Sequence, residues 1–424
     1  MAAKGSAHFA GFDGLRFIGA LAVIFSHSFL IATGSENEEP FVRLLGPHNS
    51  AGLYGVFVFF GISGFLLAKS LSANPNAIRY VVNRVLRILP AFVFCILICA
   101  LLIGPIFSAA GVRGYFSDSP VLDYVRSSLD SLSDMKLTGL FAYDADLANV
   151  VNGSLWSLRY EALSYVVLLI LWTVFRTGGL VAGVIVAIAA LTRISPAVNN
   201  AIPGIAYTLP YFAAGVLMNW VHTRFGTRMS GVLICGVALL VSCFFGWQLF
   251  AFAPFGAYLI VFLGERPNPL SWLTSKIGDC SYGLYLFGWP IEQIVKQVTG
   301  TTNPWRIMAT ALPFAFLLAF ISCKVIETPA IALKRIGEDF LRRGFQRAVS
   351  WFGNVSSAAA WGARVAFVVG ASFVIISEKR WFYFLESMGE VFLGVVAGSL
   401  IAIVIYRALV FGGIVGDLAE RPAA

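Results

Sequence analysis

Leu21-Ala-Val-Ile-Phe-Ser-His-Ser-Phe-Leu-Ile31 is the stretch that decides how this chain is read. It has the apolar character of a membrane helix, broken in the middle by one ionisable residue, His27. An ionisable group at membrane depth is unfavourable unless it is paired or used, so His27 marks a functional site by default. Its unperturbed pKa, about 6.5, also suits proton transfer at neutral pH. The structural alternative is a histidine that only hydrogen-bonds a neighbouring helix.

The surrounding composition agrees with a membrane setting. The chain has 424 residues, of which 58% are hydrophobic and only 12% charged, with a mean hydropathy of +0.81. A soluble protein of this size carries about a quarter charged residues. The repeated apolar runs imply an all-α fold, a polytopic transmembrane helical bundle. Ten core spans are expected near 15–33, 52–70, 88–109, 157–175, 178–194, 204–221, 231–248, 250–264, 281–298 and 307–326, with two accessory spans near 358–377 and 389–411. The first run lacks a following small-residue cleavage site, so it is expected to stay as a helix. Residues 1–330 then form the core and 331–356 a basic amphipathic linker suited to an anionic membrane surface. Residues 357–424 form the accessory helix pair with a short tail.

Loop charge orients the bundle. Lys69, Arg79, Arg84 and Arg87 follow the second span, Arg224 and Arg228 the sixth, and Lys334, Arg335, Arg342, Arg343 and Arg347 the tenth. Such an excess of Lys and Arg marks the cytoplasmic side, which places both termini there. Glu36, Glu38 and Glu39, and the long acidic connection 110–155, fall outside. The net charge of +8 is read the same way and implies no nucleic-acid partner. The six cysteines lie in or beside apolar runs without metal-ligand spacing, and they are read as buried small hydrophobes with no disulfide and no metal.

Four segments carry chemistry. Arg16 precedes His27 by eleven residues, roughly 16 Å of helix, which sets Arg16 at the inner interface and His27 beyond the midplane. Asp13 can pair with Arg16 at i, i+3. In the second span Gly52, Gly55, Gly61 and Gly64 allow close helix approach, and Ser63 can donate a hydrogen bond within the bundle. Arg84 and Arg87 share a helix face and make a fork suited to phosphate or carboxylate, or else serve only as topology anchors. In Asn152-Gly-Ser-Leu-Trp-Ser-Leu-Arg-Tyr-Glu161 a cap at Asn152 or Ser154 would set Glu161 one to two turns inside the outer face, at the depth of His27. There it could fix the imidazole tautomer and raise its basicity, or instead pair with Arg159 or Arg126 at the rim.

Asp13-Gly-Leu-Arg16 leading to His27, Phe59-Phe-Gly-Ile-Ser-Gly-Phe-Leu66, Arg84-x-x-Arg87 and Leu155-Trp-Ser-Leu-Arg-Tyr-Glu161 together resemble the acyltransferase-3 family of integral membrane acyltransferases. A later Ser281-Tyr-Gly-Leu-Tyr-Leu-Phe-Gly-Trp-Pro290 is also similar, and the resemblance covers about residues 9–330. Two positions depart from it: Phe57 stands where family members often have Asp, and Gly288 where many have His, so His27 must work without a second histidine. Residues 357–424 fall outside the resemblance, and no appended esterase-like domain is expected.

The resemblance implies an enzyme that moves an acyl group, usually acetyl from cytoplasmic acetyl-CoA, to a sugar hydroxyl at the outer face of a bacterial inner membrane. Exopolysaccharide, O-antigen and other lipid-linked or polymeric surface glycans are the implied acceptors. His27 would be base or nucleophile and Glu161 its orienting carboxylate. Arg84 and Arg87, with Arg16, would bind acyl-CoA, while Trp156, Tyr160 and Ser63 would contact the acceptor. A thioester is already activated, so acyl-CoA enters as a substrate and no bound cofactor is expected. The competing reading is a proton-coupled transporter or flippase of a lipid-linked sugar, with His27 and Glu161 as the relay. The absence of clear pseudo-symmetric halves weighs against it.

Overall fold

The computed structural model describes residues 10–117, 120–141, 147–195, 202, 204–267 and 269–353. The accessory spans expected within 357–424 lie outside the described residues. Among the described residues the regular structure is helical, apart from one isolated bridge between Lys136 and Val150. The principal helices are α1 (Ala10–Thr33), α2 (Ala51–Ala73), α3 (Ala77–Ile98), α4 (Leu158–Phe175), α5 (Gly178–Ile194), α6 (Ile205–Phe225), α7 (Met229–Phe244), α8 (Ala257–Gly264), α9 (Ser281–Thr299), α10 (Pro304–Ile321) and α11 (Lys334–Gly353).

Each expected core segment is therefore helical, but among the described residues five stretches are both long and apolar enough to cross a membrane. These are Gly11–Thr33, Ala51–Ala73, Ala77–Phe107, Gly153–Phe175 and Pro304–Ala332. Gly178–Ile194, Met229–Phe244 and Gln248–Gly264 are apolar but shorter. α6 and α9 are long enough yet less apolar, because they carry buried polar residues such as Thr208, Asn219, Glu292 and Gln293. The protein is a membrane protein with at least these five candidate crossings among its described residues.

Local signals explain where the helices begin. Ser50 caps α2 by accepting from the Leu53 N–H, and Asn76 caps α3 by accepting from the Arg79 N–H. Asn303 caps α10, with Pro304 in its first turn. α1 sits at the centre, packed against α2, α9 and α10, and α2 packs in turn on α6. Small residues permit the close approach. A Cβ on Gly55 would lie 2.5 Å from the Gly19 carbonyl oxygen, and one on Gly64 would lie 2.1 Å from the Phe212 carbonyl oxygen. Five cysteines are buried and free; Cys243 is free too but exposed on α7, against the expectation that all are buried.

The 110–155 connection is more than an external loop. It holds helices Gly111–Ser117 and Pro120–Ser131. Its final part turns inward, so that Val151, Asn152, Ser154 and Leu155 are completely buried. Within the linker expected at 331–356, Lys334–Gly353 is the helix α11, which docks on the start of α3: Arg79 lies 3.9 Å from Glu338, and a Cβ on Gly337 would touch Val82. Ile336 and Phe340 remain exposed on it.

The close approach yields a matched pair of variants. Gly64→Ala should lower the melting temperature by several degrees, because backbone must move, at a loss of about 1–3 kcal/mol. Gly183→Ala, whose Cβ would meet nothing within 4 Å, should leave it unchanged or raise it. Thermal unfolding of both in detergent checks this.

Candidate active site

The arginine end of α1 is built on a charge network. Arg16 reaches Asp13 at 3.4 Å and Asp279 at 3.6 Å. Arg87 of α3 bonds Asp279 at 2.6 Å and Glu327 at 3.4 Å. Asp279 sits just before α9 and also accepts the Ser281 N–H and hydroxyl. Burial opposes its ionisation, but Arg87 and Arg16 hold its carboxyl below the ordinary range. This network ties α1, α3, the start of α9 and the helical turn Ser322–Glu327 that follows α10 together. It borders a cavity of about 530 Å³ lined by Asp13, Arg16, Arg87, Thr274, Ser275 and Asp279.

A second, narrower space of about 60 Å³ adjoins it, since Arg16 and Arg87 line both. Its walls include Ser63, Arg84, Glu161, Tyr165, Tyr282 and Tyr285. The Tyr165 hydroxyl donates to Glu161 and lies 3.3 Å from Ser63 Oγ. Arg84 rests against the Tyr165 ring at 5.9 Å, and its Nε is buried without a partner. The Tyr285 hydroxyl donates to the Ser154 carbonyl at 2.6 Å and lies 2.7 Å from Ser157 Oγ.

Trp289 follows Tyr285 by one turn of α9, about 6 Å along the axis. Its indole meets the His27 ring edge-on at 4.7 Å between centroids and donates to the Val150 carbonyl at 3.3 Å. His27 is half-buried, and its Nδ1 is sealed without a partner. Tyr285 of the narrow space is thus followed, one turn along α9, by Trp289, which touches His27. No cluster among the described residues could hold a metal ion.

The structure brings Arg16, Arg84, Arg87, Ser63 and Glu161 together and leaves His27 apart from them, beyond Tyr285. The expectation that Glu161 shares the depth of His27 does not hold. Asn152 caps inside the bundle, not at its surface: its Nδ2 donates to the Leu286 carbonyl at 2.9 Å, and Gly153 lies under the Trp289 ring. Gly153 is thus level with Trp289, and Glu161 lies eight residues deeper, on the order of 12 Å toward the arginine end. Glu161 feels the charges of Arg84, Arg16 and Arg87. The arginine fork is also divided: Arg87 is held by two carboxylates, while Arg84 is not. Trp156 and Tyr160 pack on each other at 6.1 Å and line neither cavity.

The sequence matches an acyltransferase domain across residues 9–325. The chain belongs to the acyltransferase-3 family. It is 28% identical to the O-acetyl transferase of Shigella phage Sf6 over 349 residues, 74% of this chain and 94% of that protein. It is 26% identical to Nodulation protein 10 of Rhizobium leguminosarum bv. viciae over 369 residues, 78% of this chain and 95% of that protein. It is 22% identical to the peptidoglycan O-acetyltransferase OatA of Listeria monocytogenes over 365 residues, 75% of this chain but 55% of that protein. No solved structure matches at a significant level. The protein is thus an acyltransferase.

Asp279, Tyr165, Tyr282, Tyr285 and Glu327 are the site residues that sequence reasoning did not single out. Tyr282 and Tyr285 lay within the Ser281–Pro290 motif; Asp279 and Glu327 become visible only once the helices meet.

The divided arginines predict unequal effects on stability. Arg87→Ala strands buried Glu327 and leaves Asp279 only its longer ion pair with Arg16, and should destabilise the protein by about 3 kcal/mol. Arg84→Ala breaks no salt bridge, only the contact with the Tyr165 ring, and should cost less, about 1 kcal/mol. Melting curves of the two purified variants test the contrast.

Proposed function

We propose that this acyltransferase moves an acetyl group from acetyl-CoA on the cytoplasmic side to a sugar hydroxyl of a cell-surface glycan, in a bacterial inner membrane with both termini inside. One observation carries the reading: the cavity at Arg16 and Arg87 adjoins a narrower space lined by Arg84 and Tyr285, and one turn beyond Tyr285 on α9 Trp289 meets a half-buried histidine. The names of the Shigella phage, Rhizobium and Listeria relatives are consistent with it, two of the three being O-acetyltransferases.

The chemistry follows from the placement. CoA is made inside and carries phosphates, which suit a guanidinium that has no carboxylate of its own, namely Arg84. Arg87 and Arg16, already paired, shape the mouth. The acyl-bearing arm then extends beside Tyr282 and Tyr285 toward Trp289. His27 acts there as the base that takes the proton of the acceptor hydroxyl. Glu161 and Ser63, bridged by Tyr165, belong on this account to the donor side. Val150–Ser154, buried beside Trp289, forms the outer wall next to the acceptor.

Mass spectrometry of the surface glycan from cells expressing wild type, His27→Ala or no protein tests the reading. An acetyl increment should appear with wild type and drop at least about 100-fold with His27→Ala, while both proteins reach the membrane equally. Equal modification in all three strains, with altered glycan export, would favour the transporter instead. In the same assay Arg84→Ala should raise the acetyl-CoA concentration needed for half-maximal transfer about tenfold.

A further inference from the structure

Glu292 is completely buried on α9, and neither of its carboxylate oxygens has a hydrogen-bond partner. A carboxylate left this way in an apolar bundle is costly, and packing alone gives no reason to keep it. Its surroundings do. Two contacts set the register of α1 against α9. A Cβ on Gly288 would lie 2.6 Å from Ile24 Cγ1, and Lys296 Nζ donates to the Ala32 carbonyl at 3.0 Å. Both pairs have the same offset, so the helices run side by side in parallel. Glu292, midway between Gly288 and Lys296, falls opposite the turn of α1 that carries His27 and Ser28. The contact of Trp289 with the His27 ring puts His27 beside this part of α9, and Glu292 follows Trp289 by three residues, one position short of a full helical turn.

His27 Nδ1 is sealed and unpartnered in the same region. A buried donor and a buried acceptor thus stand unsatisfied across one helix seam. Three neighbouring polar side chains are already engaged. Glu39 accepts from Ser26 Oγ at 3.2 Å, from the Val42 N–H at 3.1 Å and from the Ala51 N–H at 3.0 Å. Lys296, one turn beyond Glu292, is bound to the Ala32 carbonyl. Gln293 is anchored by its Nε2 on the Val150 carbonyl at 3.0 Å.

We infer that Glu292 is the carboxylate partner of His27, a positioning residue that accepts the Nδ1–H and leaves Nε2 free as the base. The inference rests on the acyl-transfer reading above. His27 Nε2 takes the proton of the acceptor hydroxyl as its oxygen forms a bond to the thioester carbonyl carbon. The C–S bond then breaks, and the departing sulfur takes that proton to give the free thiol of CoA. Glu292 stays ionised throughout and steadies the transient imidazolium. His27 and Glu292 stand unbonded in this structure; catalytic hydrogen bonds commonly tighten only when substrate is bound.

Inverted membrane vesicles from the host, carrying its own glycan acceptor and supplied with radiolabelled acetyl-CoA, provide the test. Glu292→Gln keeps the shape and removes the charge. Label transfer should fall at least about 100-fold, with the KM for acetyl-CoA within about twofold and a melting temperature no lower than wild type. Its residual activity should show an acid limb moved down by about one pH unit, since a carboxylate raises the basicity of a neighbouring imidazole. The double variant with His27→Ala should be no worse than His27→Ala alone. A wild-type rate with an unmoved acid limb, losses that multiply in the double variant, or activity lost together with thermal stability would each overturn the pairing. If wild-type vesicles take up no label, or His27→Ala vesicles take up as much, the acyl-transfer reading fails first. Full dependence on His27 with none on Glu292 removes this inference alone.

Discussion

A charged side chain inside an apolar helical bundle has to find a partner or do chemistry, and this constraint orders the whole site. At one end of α1 the requirement is met by pairing: Asp13, Arg16, Asp279, Arg87 and Glu327 neutralise one another and hold α1, α3, α9 and α10 in place. Along the rest of the path it is not met. Arg84 Nε, His27 Nδ1 and the Glu292 carboxylate stay buried and unpaired. The paired groups build the frame, and the unpaired ones are where substrate and proton have work to do.

The two sets are joined by aromatic and hydroxyl groups. Tyr165, Tyr282 and Tyr285 line the narrow space beyond the arginines, and Trp289 carries the line on to His27. Close glycine contacts between α1 and α2 and between α2 and α6 keep this interior tight, which excludes bulk water and strengthens each polar interaction inside. The inward-turning end of the 110–155 connection closes the far side, with Val150 receiving both the Trp289 indole and the Gln293 amide.

Much of this was legible in the sequence. The apolar runs marked where helices form, since helix formation follows from a continuous apolar stretch with capping residues such as Ser50, Asn76 and Asn303, but only five of them are long and apolar enough to count as crossings among the described residues. Arg16 and His27 fall on one continuous helix, α1, as the apolar run implied. The depth of Glu161 was not legible, because sequence shows that Asn152 can cap a helix but not that the cap lies deep inside the bundle. The partners of Arg87 are 192 and 240 residues away, beyond any local pattern. Glu292 is different: it is an ionisable residue in a largely apolar stretch, as His27 is, and the same argument would have marked it. The Ser281–Pro290 motif ends two residues before it.

The central claim is that a donor held at the arginine end presents its acyl group to His27. Determining the structure with a non-reactive thioether analogue of acetyl-CoA bound in a lipid nanodisc tests it most directly. The account predicts phosphate density beside Arg84 and the analogue's sulfur past Tyr285, within about 4 Å of the His27 ring. Phosphates at the opposite end of α1, or a sulfur halted beside Glu161, would contradict it.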